Sequence, residues 1–230
     1  MILTPRCVNL LRLLSAARWL TTGQIHYRFF SGASPDAARK RLRKLTEGEY
    51  LTMVREGRMN QALFTLGRAG KRVLETATAR PVTLERKPPT HREHFLAVND
   101  VRIAAELAGS LSYFFAYWEL PGLGWRHSLI PDAVFKMAER TFALEFDRGV
   151  EGIQFFIRTK ITAYQRGLDG LPLTAILVVT DRDARMVSLA TAIGNTKGRV
   201  LFSTIGAVRG QGLLGPVFHE QPGDKGAALV

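Results

Sequence analysis

A proline-containing stretch, Arg80-Pro81 to Pro88-Pro89, divides the chain into two segments of unlike charge. Residues 1–90 carry 17 basic and 6 acidic side chains, a net of +11, whereas residues 91–230 carry 15 and 14, a net of +1. So lopsided a distribution predicts two parts with different electrostatic roles. The expected division is a domain over 1–80, a linker over 81–92, an α/β domain over 93–205 and a Gly-rich tail over 206–230.

The whole-chain charge of +12 favours a polyanionic partner, nucleic acid first and an anionic membrane surface second. Membrane insertion is excluded by hydropathy, because the best apolar run is only Ala175 to Val179, far short of the roughly 20 residues that a span needs. Arg6, Arg12 and Arg18 interrupt the apolar N-terminus and leave no signal-peptide core. The single cysteine, Cys7, rules out an intrachain disulfide framework and makes the cytoplasm the expected compartment.

In the basic segment, Val8, Leu10, Leu11, Leu13 and Leu14 follow Pro5 at helical spacing. A second helix is expected from Thr21-Thr22, where a threonine can cap it. After the turn Ser31-Gly32-Ala33, the run Ser34-Pro35-Asp36 combines an N-cap, a proline at the first helical position and an acid in the first turn, and so predicts a third helix. There Ala38, Leu42 and Leu45 form a buried stripe, turning Asp36, Lys40 and Arg43 outward with Arg39 and Lys44 flanking them. Tyr50 to Arg55 and Gln61 to Leu66, joined by Glu56-Gly57-Arg58-Met59-Asn60, have the pattern of a β-hairpin, with a closing helix near Gly70 to Leu74. Three helices followed by such a hairpin predict a winged helix-turn-helix that binds double-stranded DNA through Arg39, Lys40, Arg43 and Lys44, with Arg55 and Arg58 on the wing. Sequence does not sort these cations between phosphate contacts and base contacts. A homodimer on two-fold half-sites is a further expectation of this geometry.

In the second segment the expected order is helix (about 93–108), strands over 113–119, 129–137 and 140–147, a helix over 151–166, a buried strand over 174–180, a helix over 184–193 and a strand over 199–204. That order predicts a mixed sheet flanked by helices. A tight turn at Ala138-Glu139 sets Met137 against Arg140 and, five pairs on, Asp132 against Glu145, with Asp147 on the same face. Three carboxylates together repel unless a cation or proton intervenes, and an all-oxygen set suits Mg²⁺ or Mn²⁺. Ile153, Phe156, Ile157, Ile161 and Tyr164 define the apolar face of the next helix, and Lys160 falls in the middle of it, pointing at the carboxylates. A purely structural Lys–Asp pair is the simpler account of the same pattern.

The segments "AVNDVR" (97–102), "PDAVF" (131–135), "FALEFDRG" (142–149) and "RTKITAY" (158–164), preceded by a winged helix, resemble the plasmid replication-relaxation family over about residues 5–180. They are also similar to the PD-(D/E)xK nuclease-like fold. That resemblance implies Asp132 as the first metal-binding acid and Glu145 as the second, while Asp147 stands where the motif has lysine. It leaves Lys160, on the next helix, to supply the missing charge. Three functions follow as expectations: a plasmid or mobile-element DNA-binding protein with a degenerate nuclease fold, an active Mg²⁺- or Mn²⁺-dependent endonuclease with Asp132, Glu145, Asp147 and Lys160 as catalytic residues, and a transcriptional repressor. His91 and His94 lack the partners of a zinc site, and "GNTKG" (194–198) lacks the residue order of a phosphate loop.

Overall fold

The computed structural model describes residues 2–56, 61–166, 172–197 and 199–229, with the backbone alone at Glu56 and Gln165. The turn residues 57–60, Arg58 among them, lie outside the described residues. The chain divides into two units, Met1–Asn99 and Asp100–Val230. Among the described residues, no helix is long and apolar enough to cross a membrane.

The first unit opens with α1 (Pro5–Ala17), capped by Thr4, whose hydroxyl accepts from the Cys7 N–H. After the two-residue strand β1 (Leu20–Thr21) comes α2 (Thr22–Phe29). Thr21 and Gln24 form a reciprocal capping box there, each side chain accepting from the other's backbone N–H. α3 (Pro35–Glu47) follows, with Ser34 as N-cap and Ala38, Leu42 and Leu45 buried, as the spacing predicts. β2 (Leu51–Glu56) and β3 (Gln61–Leu66) pair antiparallel from Leu51 opposite Leu66 to Glu56 opposite Gln61, and β1 joins β3 to give the order β1-β3-β2. α4 (Arg68–Thr78) closes this part. α5 (Arg92–Leu107) crosses the division between the units. Gln24 donates to the Leu96 carbonyl at 2.8 Å, and the buried Asn99 donates to the carbonyls of Ala17 and Trp19. These bonds tie the first half of α5 to the first unit, so the division falls inside this helix rather than in the proline-containing stretch before it.

The second unit is a five-stranded mixed sheet with helices, ordered β4-β5-β6-β7-β8. β4 (Leu111–Ala116), β5 (Ala133–Met137) and β6 (Arg140–Asp147) run antiparallel, and β6, β7 (Ala175–Thr180) and β8 (Val200–Thr204) run parallel. Two strands are shorter than expected. β4 ends at Ala116, whose N–H is taken by the Glu119 carboxylate, and β5 starts only after Pro131, a residue with no N–H to give a ladder. Between β6 and β7 the chain passes through α6 (Ile153–Phe156), a π-helical turn over Ile157–Ile161 and α7 (Thr162–Gln165). Phe156, Ile161 and Tyr164 pack from this helix onto Ala143, Ile176 and Val178 of the sheet, which fixes which side chains face the strand ends. α8 (Asp183–Ile193) connects β7 to β8.

The glycine-rich tail expected over 206–230 is folded within its described residues. α9 (Ile205–Gln211) begins directly after β8, capped by Thr204. His219 then pairs with Phe202 along β8, and Ala227 pairs with Phe218. Leu213, Val217, Phe218 and Leu229 are buried, and that burial outweighs the backbone entropy of the glycines. Asp224 clasps the returning turn by accepting from the N–H groups of Glu220, Gln221 and Gly226.

Candidate functional site

Asp36, Arg39, Lys40, Arg43, Lys44 and Glu47 are all exposed on α3, because the buried stripe claims the opposite side of the helix. A groove of about 550 Å³ runs between α3 and the β2–β3 hairpin. Arg39, Lys40, Arg43 and Arg55 line it together with the acids Asp36 and Glu47 and with Leu42, Met53, Ala62 and Phe64. Lys44 is exposed but lies off the groove. Four of the five sequence-predicted cations within the described residues are therefore brought together. Arg41, third in the run from Arg39 to Lys44, turns away: its Nε and Nη2 donate to the Cys7 sulfur at 3.2 and 3.0 Å, and Nη2 also donates to the Ile2 carbonyl.

In the second unit, the ladder from Met137 opposite Arg140 to Ala133 opposite Leu144 has the register that the tight turn predicts. Asp132, half-buried, lies one residue before β5; its N–H donates to the Leu144 carbonyl and its Oδ2 accepts from the Phe146 N–H at 2.7 Å. Glu145 is buried, and both of its oxygens hold donors. Lys160 Nζ is 3.0 Å from Oε2, and the Tyr164 hydroxyl donates to Oε1 at 2.5 Å. Lys160 thus points at the sheet as the spacing predicts, although its side chain keeps 27% of its exposure because it leaves the helix from the π turn. Burial, together with the nearby charge of Asp132, raises the Glu145 pKa to about 7 against the lowering pull of Lys160 and Tyr164. Burial lowers the Lys160 pKa, but Glu145 beside it wins and the net shift is upward. Burial, reinforced by Glu145, holds the Tyr164 hydroxyl well above its usual range.

Asp147 does not join this pair as a third ligand. Arg185 Nε donates to its Oδ2 at 2.5 Å, the Gly149 N–H donates to its Oδ1, and the same guanidinium reaches the Glu151 carbonyl. Three carboxylates are thus met by two cations, Lys160 and Arg185, with Glu145 about half protonated at pH 7. Lys160 and Arg185 supply part of the positive charge that a divalent ion would bring. Among the described residues, no group of three or more His, Cys, Asp or Glu side chains is placed to hold a metal. The donor set as it stands does not fit Mg²⁺ or Mn²⁺, since an ammonium occupies one oxygen of the most buried acid and Asp147 is neutralised.

Two members of this cluster were not legible as such. Its spacing puts Tyr164 on the apolar face, and its place four residues after Lys160 is the signal that both reach one partner. Arg185 carries no such signal, because it meets Asp147 only through the parallel pairing of β6 with β7 and the start of α8. The polar residues of "AVNDVR" are structural: Asn99 holds α5, Asp100 pairs with Arg209, and Arg102, buried, pairs with Glu119 and lies over the Phe114 ring.

No curated protein and no solved structure matches this chain. The model of the replication-relaxation family matches residues 11–169, more than half of the sequence and including the α3 face, Glu145, Lys160 and Tyr164, and the chain belongs to that family.

Proposed function

We propose that this chain binds double-stranded DNA in plasmid or mobile-element replication or mobilisation. In this reading the first unit is a winged helix-turn-helix, with α3 as recognition helix and β2–β3 as wing. The second unit is a PD-(D/E)xK nuclease-like fold whose acids are balanced internally and no longer serve metal-dependent cleavage. The observation that carries the reading is the convergence of Arg39, Lys40, Arg43 and Arg55 on one groove between a helix and a hairpin, on the segment with net charge +11. Membership of the replication-relaxation family agrees with it.

The test is a gel shift with linear duplex DNA at rising salt. Lys40→Ala with Arg43→Ala is expected to weaken binding by about 1–3 kcal/mol per lost base contact and to flatten the salt dependence. Unchanged affinity overturns the assignment of α3. Incubation of plasmid DNA with Mg²⁺ or Mn²⁺ is expected to leave it uncut. Metal-dependent cutting that Glu145→Ala abolishes would instead establish the second unit as an endonuclease.

A further inference from the structure

The exposed face of α3 carries two kinds of cation. Arg39 and Arg43 are each held by a carboxylate of their own helix: Arg39 Nη1 lies 2.7 Å from Asp36 Oδ1, three residues earlier, and Arg43 Nε lies 3.6 Å from Glu47 Oε1, four residues later. Lys40 and Lys44 have no acidic partner among the described residues. At 100° per residue Asp36, Lys40, Arg43 and Glu47 fall within one narrow outward sector, so the two acids bracket the cations at the two ends of the face.

We propose that α3 divides its cations by task, with Arg39 and Arg43 reading guanine edges in the major groove, Lys40 and Lys44 binding phosphates, and Asp36 and Glu47 acting as counter-charges that weaken binding to arbitrary sequence. The proposal rests on the duplex-binding reading above and adds to it the residues that set specificity.

Three physical arguments support this division. A guanidinium is a planar fork that matches O6 and N7 of guanine with two hydrogen bonds, whereas an ammonium is a point charge suited to phosphate. An exposed intrahelical ion pair changes an equilibrium only about two-fold, so it orients the arginines without trapping them, while a bidentate guanine contact discriminates by roughly 5- to 150-fold. The carboxylates act in the opposite sense on DNA backbone. Asp36 occupies the first turn of α3, the end of the helix that otherwise attracts a phosphate, and Glu47 sets a second negative charge at the far end. A phosphate approaching the arginines meets a full like charge, whereas the uncharged guanine edge, with only partial negative charge on O6 and N7, is repelled far less. Specificity is then achieved partly by penalising the wrong ligand.

The experiment uses the full chain. A preferred duplex is selected from a randomised pool, and affinities for it and for a shuffled duplex are compared. Arg39→Ala and Arg43→Ala are expected to lose preference by 5- to 150-fold while affinity for the shuffled duplex falls little. 7-Deazaguanine at the contacted position, which lacks the N7 acceptor, is expected to cost the native protein as much and the matching arginine variant nothing more. Lys40→Ala is expected to weaken both duplexes equally and to reduce the salt slope by about one. Asp36→Asn and Glu47→Gln are expected to tighten the shuffled duplex several-fold and so narrow the preference. All of these positions are exposed, and circular dichroism checks that each variant keeps its fold.

The proposal is overturned if the arginine variants weaken both duplexes alike, if Lys40→Ala erases the preference, or if the acid variants leave shuffled-duplex affinity unchanged. Native protein that binds duplexes without preference overturns this proposal alone. Native protein that binds no duplex overturns the DNA reading as well.

Discussion

Lys160→Met is expected to destabilise the second unit by about 3 kcal/mol at pH 8 and by clearly less at pH 6, in urea unfolding followed by tryptophan fluorescence. The substitution leaves Glu145, with only 3% of its side chain exposed, without its ammonium partner. Removing one member of a buried pair costs about 3–5 kcal/mol, and the partial exposure of Lys160 places this case at the low end. The pH dependence follows from Glu145. Its folded pKa of about 7 exceeds the unfolded value of 4.5, so the folded state binds the extra proton between those values. That stabilisation is full below pH 4.5 and is lost as pH rises through 7, an effect of about 3 kcal/mol. Lys160 lowers that pKa, so without it the carboxyl takes its proton at higher pH still and at pH 6 needs no cation. Glu145→Gln is accordingly expected to gain stability relative to the native protein between pH 5 and pH 8. An equal loss for Lys160→Met at both pH values would show that Lys160 does not balance this charge. Trp118 and Trp125 report on the second unit and Trp19 on the first.

Gly70→Ala is expected to lower the stability of the first unit by about 2–3 kcal/mol, although alanine is the better helix former by about 1 kcal/mol. A Cβ at Gly70 would lie 2.4 Å from the Tyr50 carbonyl oxygen and 2.9 Å from Leu66 Cδ1. Tyr50 leads into β2, and a backbone oxygen cannot rotate aside as a side chain can, so α4 has to move off the sheet. Gly67 is equally confined, with Glu49 O at 2.2 Å from its added Cβ. Gly32, in the turn before α3, has nothing within 4 Å and serves as the control, since Gly32→Ala should change little. A urea midpoint for Gly70→Ala at or above that of the native protein would refute the close approach of α4 to Tyr50.

The features legible from sequence were those set by neighbours along the chain. Ser34, Pro35 and Asp36 mark the start of α3 because caps act within one turn, and Ala38, Leu42 and Leu45 mark its buried side because the helical period is fixed. The register that brings Asp132 toward Glu145 follows from the tight turn at Ala138, which has a positive φ of 47°. What escaped depends on elements far apart in sequence. Asp147 looked like a third ligand until Arg185, 38 residues later, neutralised it. The helical period leaves Arg41 off the outward face of α3, but its actual partner, Cys7, lies 34 residues earlier and carries no local signal. The glycines of the last segment give it the composition of a tail, while its buried apolar side chains, spread from Leu213 to Leu229, fold it.

The closing of the C-terminal segment along β8 also sets an order of events during synthesis. Arg140 donates to the Leu229 carbonyl, 89 residues downstream, and Leu229 is fully buried. The second unit therefore cannot complete its packing until nearly all of it has been translated, whereas the sheet of the first unit is complete at Leu66 and its last tie at Asn99. Because domains generally fold as units in the order in which they are made, the cationic face of α3 is assembled before the last segment of the second unit closes along β8.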